Sequence, residues 1–332
     1  MQKYSPELLD SAAVVVIGRN EGQRLRNCLE SLLKHTNKIV YVDSGSTDDS
    51  VKMANHLGVD VVNLDMAAGF TAARARNTGF ARVKQKFPEL PYVQFVDGDC
   101  LVDPNWLETA INFLDQNKDV AVVCGRLKEI YPNNSVYNLL CDIEWDTPIG
   151  ETRACGGNAL MRVDAFSAID GFREGLIAGE EPELCVRLRQ KGWRIWRLDA
   201  PMALHDAGMH HFRQWWKRAM RGGYAFAEGA YLHGSAPEYH WVVESNRVWR
   251  WGLFLPLLAL VCFIIKPLLG ILVISVYPLQ IIRLTCRSKL SFKDAFLQAF
   301  FLTIGKFAEV IGQIKFLWHH YTNKQSRLIE YK

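Results

Sequence analysis

The sequence predicts an α/β fold, in which a domain with a mostly parallel sheet precedes a C-terminal region of membrane-associated helices. Short apolar segments alternate with helical patterns over residues 12–224, an order typical of parallel sheets covered by helices. The most apolar stretch, residues 251–282, comes later and precedes a basic tail, as in membrane-bound segments. The predicted domains are residues 1–235 and 236–332.

Hydrophobic spacing predicts the elements of the first domain in order. Residues 13–17 are continuously apolar, as a strand buried on both faces requires. Residues 24–34 place leucines and a cysteine at helical spacing. The same criteria predict later strands at 38–42, 59–64, 92–96, 120–124, 159–161 and 202–205, and later helices at 50–57, 71–86, 104–116, 182–191 and 210–223.

Composition and motif content exclude several protein classes. A chain of 332 residues with 49% hydrophobic and 22% charged residues is neither disordered nor collagen-like. Its eight cysteines form no CxxC pair, so we expect buried, reduced thiols rather than zinc ribbons or redox pairs. The first residues lack the pattern of a signal peptide, so none is expected. The absence of GxGxxG and P-loop patterns disfavours dinucleotide oxidoreductases and P-loop kinases, and no nucleic-acid partner is expected.

The apolar stretch at residues 251–282 predicts contact with a membrane. A bilayer span needs about 20 apolar residues, so this stretch is too long for one span and too short for two. Lys266 and Pro267 interrupt it, which predicts two short helices forming a tight hairpin or a re-entrant pair. Residues 283–332 carry nine Lys or Arg against three Asp or Glu, an excess that fits a cytoplasmic flank beside anionic lipid.

A third C-terminal segment, residues 292–318, has an amphipathic pattern. Aromatic and aliphatic side chains recur at helical spacing, with Lys293, Lys306, Glu309 and Lys315 among them. Such a helix suits the membrane surface. The alternative is a helix that packs on the soluble domain.

Three polar clusters follow three of the predicted strands, at residues 18–21, 43–49 and 97–99. Parallel sheets bind ligands where loops leave the carboxyl ends of their strands. In the last cluster Asp97 and Asp99 flank a glycine, and their carboxylates would repel each other unless a cation lay between them. Mg²⁺ or Mn²⁺, bound by carboxylates and substrate phosphates, would remove that repulsion. The alternative is a solvated Asp-Gly turn.

The cluster after the second strand combines a turn with a carboxylate. Capping of the next helix explains Ser46, Thr47 and Asp48. Capping does not require Asp43 at the strand end, where a carboxylate could hydrogen-bond a nucleoside base or ribose.

The chain resembles family-2 glycosyltransferases of the GT-A fold. The segments that carry the resemblance occur in family order and are residues 16–21, 42–48, 75–79, 95–99, 156–158 and 179–188. The resemblance implies a nucleotide-sugar-binding α/β domain that transfers a sugar to a hydroxyl acceptor with inversion. It also implies that Asn20, Glu21 and Asp43 face the nucleoside, that Arg76 lies near the nucleotide, and that Asp97 and Asp99 face the ribose and the metal.

The resemblance extends to the donor sugar and the catalytic base. Gly156 and Gly157 would line the donor sugar or the acceptor, and the alternative is a Gly-Gly turn into strand 159–161. Glu180 and Glu181 occupy the place of the family's Glu-Asp pair, and Glu181 is the first choice as general base, which must reach the acceptor hydroxyl. The alternative is that both glutamates only stabilise the N-terminus of helix 182–191.

Two further residues complete the predicted site. Some GT-A enzymes use a histidine as a metal ligand at the position of His205, and the alternative is a histidine hydrogen-bonded near the site. Arg218 lies in a segment whose cations could hold the leaving diphosphate. That segment only partly resembles the Gln-x-x-Arg-Trp motif of processive polysaccharide synthases, because Lys217 occupies the arginine place. Transfer of a single sugar is therefore favoured over polymerisation.

These observations predict a glycosyltransferase of the cell membrane with a cytoplasmic catalytic domain. Its donor would be a nucleotide-diphosphate sugar, with UDP-sugars as the leading class, and its acceptor a saccharide or lipid-linked hydroxyl in polysaccharide or glycolipid synthesis. A membrane anchor would raise the effective concentration of enzyme and lipid acceptor. The alternative is a non-catalytic nucleotide-sugar-binding scaffold in a membrane assembly complex.

Overall fold

A computed structural model describes residues 9–322 of the protein. Within this range the chain divides into two compact units. The first contains residues up to Asn134, Cys141–Leu176 and Glu180–Gly208, and the second contains Ser135–Leu140, Ile177–Gly179 and the residues from Met209 onward.

A single mixed sheet forms the centre of the first unit. Its strands are β1 (Ala12–Gly18), β2 (Ile39–Asp43), β3 (Asp60–Asn63), β4 (Tyr92–Asp97), β5 (Cys100–Val102), β6 (Val120–Glu129), β7 (Gly150–Thr152), β8 (Ala159–Arg162) and β9 (Arg194–His205). The order is β3-β2-β1-β4-β8-β6-β9-β5, and β7 pairs with β9. The α/β fold with a mostly parallel sheet is confirmed: the first four strands in this order are parallel, and the antiparallel strands β5, β7 and β8 are short.

Helices connect these strands as the alternating pattern predicts. They are α1 (Gln23–Leu33), α2 (Ser50–His56), α3 (Ala72–Lys86), α4 (Trp106–Gln116), α5 (Val136–Trp145), α6 (Val163–Ser167) and α7 (Glu180–Gln190). Gly79 allows α3 to pack directly on the sheet, since a Cβ there would collide with Val15 and lie 3.0 Å from Val42. Close contact between α3 and the sheet matters because α3 carries Arg76 towards the ends of the strands.

Two strands are longer than the sequence predicts. The strand expected at 120–124 continues to Glu129, and the strand expected at 202–205 begins at Arg194. These two strands, β6 and β9, pair in parallel across register shifts. Their added residues mix buried and exposed side chains, so they lack the continuous apolar run by which a fully buried strand is recognised.

Most of the cysteines are buried, as the sequence predicts. All eight are free, and six of them, in the first unit, are buried: Cys28, Cys100, Cys124, Cys141, Cys155 and Cys185. Cys286, in the second unit, is exposed.

The second unit is helical and contains most of the exposed apolar surface. Its helices are α8 (Phe212–His233), α9 (Val242–Trp249), α10 (Leu255–Ile265), α11 (Pro267–Ile274), α12 (Val276–Arg287) and α13 (Phe292–Thr322). A π-helical turn, Arg250–Phe254, joins α9 to α10. Within the described residues, three continuous helices are long and apolar enough to cross a membrane: Val242–Ile265, Pro267–Arg287 and Phe292–Thr322.

The expectation of two short membrane helices is wrong in length, although the break is where the sequence places it. Lys266 is extended and Pro267 begins the next helix. The helices on either side contain 24 and 21 residues. Each is longer than the sequence predicts because it continues into polar residues outside the apolar stretch 251–282. Each is long enough for a full span of about 20 residues.

The last helix turns its small residues inward. The buried residues of α13 are Ala295, Ala299, Thr303, Gly305, Ala308, Val310, Gly312, Gln313 and Phe316. Most large side chains of the predicted apolar stripe are exposed: Phe296, Phe300, Ile311, Ile314 and Trp318, the last at 61%. A small inner face lets helix backbones approach closely, as in membrane helix pairs. The outward apolar face fits contact with lipid.

Candidate active site

The three polar clusters lie side by side at the carboxyl edge of the sheet. Parallel pairing aligns Gly18 of β1 with Asp43 of β2, and Ile17 of β1 with Asp97 of β4. Backbone hydrogen bonds continue past the strand ends, from Ser44 N to Gly18 O at 3.0 Å and from Gly98 N to Ile17 O at 2.8 Å. The parallel register therefore gathers loops that are separated by more than seventy residues of chain.

Asp43 organises the loop that follows β2. Its buried carboxylate accepts hydrogen bonds from Tyr41 Oη at 2.7 Å, Gly45 N at 3.0 Å, Ser46 N at 2.8 Å and Ser46 Oγ at 2.5 Å. Burial and the bond to Asp43 raise the pKa of Tyr41, which keeps its hydroxyl a donor. Sequence reasoning missed this loop-ordering role, because a carboxylate three residues before a serine has no distinctive pattern. Its contact with a nucleoside stays a prediction.

Asn20 joins the loops that follow β1 and β2. Its backbone is left-handed, with φ of 56°, a conformation that asparagine tolerates better than most residues. Its side-chain Oδ1 accepts a hydrogen bond from Thr47 N at 2.7 Å, and its own N donates to Ser46 Oγ at 2.9 Å. Nearby, Glu21 forms an ion pair of 2.7 Å with Arg24. Asn20 and Glu21 thus hold in place the loops where a nucleoside is predicted to bind.

Arg76 holds three carboxylates together behind this edge. The guanidinium is buried, and its Nη2 lies 2.9 Å from Asp97 Oδ1. Its Nη1 lies 3.0 Å from Glu180 Oε1 and 2.8 Å from Glu181 Oε1. Burial lowers the pKa of Arg76, but the charges of Glu181, Asp97 and Glu180 outweigh it and raise the pKa, so the group stays charged. The structure thus brings together four residues predicted from separate motifs.

Glu181 and Glu180 differ in exposure, although both contact Arg76. The Glu181 side chain is 14% exposed and that of Glu180 only 5%. Burial and the charge of Glu180 raise the pKa of Glu181 to about 7, against the opposing effect of Arg76. A carboxylate with a pKa near neutrality suits a general base. Both glutamates lie in the first turn of α7, which begins two residues earlier than the sequence predicts.

The two glycines of the 156–158 segment have different surroundings. A Cβ on Gly157 would lie 2.9 Å from Asp97 Oδ2 and 3.2 Å from Glu181 Oε1, and would collide with Arg76. A Cβ on Gly156 would meet no atom within 4 Å. Neither residue has the positive φ that favours glycine in a tight turn. A side chain at position 157 would therefore clash with Arg76 and crowd the carboxylates, whereas the space around Gly156 would accommodate one.

Strand pairing places Asp99 beside His205. Antiparallel β5 and β9 align Cys100 with His205, and His205 Nε2 lies 3.1 Å from Asp99 Oδ1. The ring of Trp145 stacks on the imidazole at 4.7 Å with an interplanar angle of 10°. Among residues 9–322, no hydrogen-bond partner reaches the buried Nδ1 of His205. Sequence reasoning did not single out Trp145, whose segment carries no motif.

The donor set of this pair fits a divalent cation. Ligand atoms of Asp99, Cys100 and His205 lie within 4.8 Å of one another. Adjacent octahedral ligands at about 2.1 Å from an ion lie about 3 Å apart, which matches the separation of Asp99 and His205. Burial raises the pKa of Cys100 well above its usual value, so its thiol stays protonated and is a poor ligand. A hydrogen bond from His205 to Asp99 suits the same distance, so both alternatives for His205 remain.

Arg218 lies on α8 in the second unit, and its contact with a diphosphate stays a prediction. On the same helix Gln214 has a local role. Its Oε1 accepts hydrogen bonds from the backbone N of His210 at 2.8 Å and of His211 at 2.9 Å. Gln214 therefore caps the N-terminus of α8, a function that the partial resemblance to a synthase motif does not imply.

A family model matches slightly less than half of the chain. Residues 13–170 match the family "Glycosyl transferase family 2". This range includes β1 to β4, Arg76, Asp97, Asp99 and the two glycines. It ends before Glu181 and His205.

Curated relatives are similar over more than half of the chain. Glycosyltransferase AglE of Haloferax volcanii is 24% identical over 202 residues, which is 56% of this chain and 64% of that protein. The succinoglycan biosynthesis protein ExoA of Rhizobium meliloti is 26% identical over 209 residues, covering 59% of this chain and 63% of that protein. The chain thus matches less than two thirds of the length of either relative.

A solved structure has the same fold over nearly the whole chain. The mannosyltransferase PcManGT from Pyrobaculum calidifontis, solved in complex with GDP-Man and Mn²⁺, aligns with a TM-score of 0.60 and 17% identity. The alignment covers 93% of this chain and 87% of that structure. It confirms the GT-A fold.

Proposed function

Because residues 13–170 of this chain match the model of glycosyl transferase family 2, we propose that it transfers one sugar, with inversion, from a nucleotide-diphosphate sugar to an acceptor hydroxyl. The acceptor is lipid-linked or lies close to a membrane, and the product enters polysaccharide or glycolipid synthesis. UDP-sugars are the donor class to test first. The names of the relatives support the general reaction, and the apolar helices of the second unit support an acceptor at a membrane.

One observation carries this proposal: the Arg76 cluster unites a candidate base with a candidate donor site. Arg76 contacts Glu181 at 2.8 Å and Asp97 at 2.9 Å. Asp97 is two residues from Asp99, which lies 3.1 Å from His205. Like charges at such separations repel unless cations compensate them. The single positive charge of Arg76 does not balance the three carboxylates that it contacts, so net negative charge remains. The remaining negative charge suits a substrate that arrives with a divalent cation.

In the proposed reaction Glu181 removes the proton from the acceptor hydroxyl. The hydroxyl oxygen then forms a bond to the anomeric carbon from the face opposite the leaving group, and the bond between that carbon and the diphosphate oxygen breaks. Glu180, the more buried glutamate, fixes Arg76 and raises the pKa of Glu181. Asp99 and His205 would hold a divalent cation, which would neutralise charge on the departing diphosphate.

The experiment that tests this function uses the purified full chain in detergent. UDP-sugars and GDP-mannose are supplied with Mg²⁺ or Mn²⁺ and a prenyl-phosphate-linked saccharide acceptor, and released nucleoside diphosphate is measured. Glu181→Gln should lower turnover by about 10²–10⁴-fold, the range expected for a general base, while donor affinity is retained. Glu89→Gln, at an exposed glutamate outside the site, is the matched control and should retain activity. Unchanged turnover in Glu181→Gln would remove Glu181 from the role of base.

A non-catalytic scaffold remains the second candidate function. It would bind the donor with the same loops and release no nucleoside diphosphate with any donor or acceptor. A base-like pKa at Glu181 has no use in a scaffold, which favours the enzyme. Donor binding without turnover in every combination of the panel would instead support the scaffold.

A further inference from the structure

A cationic cavity lies among the apolar helices of the second unit. It has a volume of about 430 Å³ and is lined by side chains from α9, the π-helical turn, α12 and α13. Its basic residues are Arg247, Arg283, Arg287 and Lys306. Each of the three continuous helices that could cross a membrane contributes at least one of these cations.

The positive charge of this cavity is largely uncompensated. In the part of the chain that the structure describes, no carboxylate lines it. Lys306 forms an ion pair with Glu309 at 2.5 Å. Within residues 9–322, none of the three arginines forms an ion pair with a carboxylate. Three guanidinium groups that converge on one space repel one another unless an anion lies between them.

The rest of the lining is suited to the headgroup region of a membrane. Leu284 and Leu302 provide apolar walls, and Trp251 adds an amphipathic ring of the kind enriched at membrane interfaces. On α12, Leu279 and Ile282 precede the lining residues Gln280 and Arg283 in sequence and are 61% and 58% exposed. A ligand with an anionic head and an apolar tail would satisfy both kinds of surface at once. A water-soluble anion would use only the arginines.

We propose that this cavity binds the phosphate group of an anionic membrane lipid. The guanidinium groups of Arg283 and Arg287 each present paired N–H donors that match the oxygens of a phosphate. The lipid tail would lie along the exposed apolar face of α12. This site lies wholly in the second unit and is distinct from the Arg76 cluster, and lipid binding there does not depend on the proposed transfer reaction.

The test measures lipid binding to the purified full chain in a neutral detergent by native mass spectrometry. The probes are phosphatidic acid and a short prenyl phosphate, with phosphatidylcholine as the lipid that lacks net charge. We expect one saturable site for the two phosphate monoesters. The double variant R283Q/R287Q should bind them about tenfold more weakly or worse, because each arginine supplies charge-assisted hydrogen bonds.

The matched control is K289Q/K293Q. Lys289 and Lys293 follow Arg287 closely in sequence, are exposed and do not line the cavity. Their double substitution removes the same amount of charge as R283Q/R287Q. The control should therefore bind the lipids with an affinity within about twofold of the wild type, because exposed charges contribute little. Equal losses in both double variants, or wild-type affinity in R283Q/R287Q, would overturn the proposal. Thermal unfolding of both variants in the same detergent shows that the comparison is made on folded protein.

Competition distinguishes the sources of the phosphate. Displacement of the lipid by an equal concentration of inorganic phosphate would overturn the lipid assignment, because the site would then take the free ion. Resistance to inorganic phosphate supports it. A preference for prenyl phosphate over phosphatidic acid would support a lipid-linked substrate as the ligand, and equal affinities would support a bilayer lipid.

Discussion

Arg76 keeps together three acidic side chains that are far apart in sequence. Asp97 ends a strand, whereas Glu180 and Glu181 begin a helix more than eighty residues later. Their carboxylates meet only through the guanidinium, at distances of 2.8 to 3.0 Å. Removing Arg76 would leave these buried carboxylates without a compensating charge, which is costly. The same cluster that stabilises this edge of the sheet also sets the pKa of the candidate base.

The raised pKa of Glu181 predicts a pH profile. A general base must be ionised, and the pKa of Glu181 is about 7 rather than its ordinary 4.5. Transfer at saturating donor should therefore fall as the pH drops below about 7, where an ordinary glutamate would remain active to below pH 5. Initial rates from pH 5 to 9 measure this. An activity that holds constant down to pH 5 would contradict the assignment.

The same shift has a consequence for stability. Because the folded-state pKa is raised, the stabilising contribution of Glu181 is complete below pH 4.5 and is lost as the pH rises through about 7. At pH 8 the ionised carboxylate destabilises the fold, so Glu181→Gln should unfold at the same temperature as the wild type or a higher one. A thermal melt at pH 8 tests this. A lower unfolding temperature there would show that Arg76 needs the charge of Glu181.

The close packing around Gly157 predicts that a larger residue there lowers activity. A methyl group on Gly157 would press on Asp97, Glu181 and Arg76, whereas Gly156 has open space. Gly157→Ala should lower turnover by about tenfold or more, since displacement of a catalytic group by about 1 Å can cost 10²-fold. Gly156→Ala is the matched control and should stay near wild-type activity. Equal activities in the two variants would contradict the crowding at Gly157.

Among the helices, α8 and α13 pack closely because glycines lie at their contact. A Cβ on Gly223 of α8 would collide with the backbone of Glu309 on α13, and a Cβ on Gly312 of α13 would collide with the carbonyl of Met220 on α8. Two reciprocal glycines of this kind allow the backbones to touch, which larger residues would prevent. The helical pattern of residues 292–318 predicts the helix but not which face is inward, because close packing favours small residues over the large apolar ones.

This packing predicts opposite effects for neighbouring glycines. Gly223→Ala should destabilise the second unit by about 1–3 kcal/mol, the usual cost of overpacking. Gly222→Ala, one residue earlier and facing open space, should instead stabilise α8 by up to about 1 kcal/mol through helix propensity. The measurement is thermal unfolding of the full chain in detergent. Similar shifts in both variants would contradict the close approach of the two helices.

For the whole molecule, the proposed function predicts that the apolar helices of the second unit hold the enzyme at the cytoplasmic face of a membrane. The basic flank after residue 282 supports that orientation. Cys286 offers a probe, since it is the exposed cysteine of the described residues and lies at the end of α12. A membrane-impermeant maleimide should label it in inside-out vesicles and leave it unlabelled in intact cells. Cys286→Ser is the control, and labelling in intact cells would reverse the orientation.

Three features could be predicted from the sequence alone: the α/β fold, the GT-A resemblance and the edge of the sheet where polar loops gather. These depend on local spacing and on parallel pairing, which places strand ends together without further information. The helix break at Lys266 could be predicted as well, because proline cannot continue a helix.

The contacts between side chains became known only from the folded structure. The ion pairs of Arg76, the contact of His205 with Asp99 and the crowding of Gly157 all join segments that are distant in sequence. The loop-ordering role of Asp43 and the convergence of three arginines on one cavity belong to the same class. In the first unit, hydrophobic spacing predicts which residues of an element are buried. The pairing of charged side chains depends on how distant segments of the chain pack together. No local pattern in a single sequence indicates this pairing.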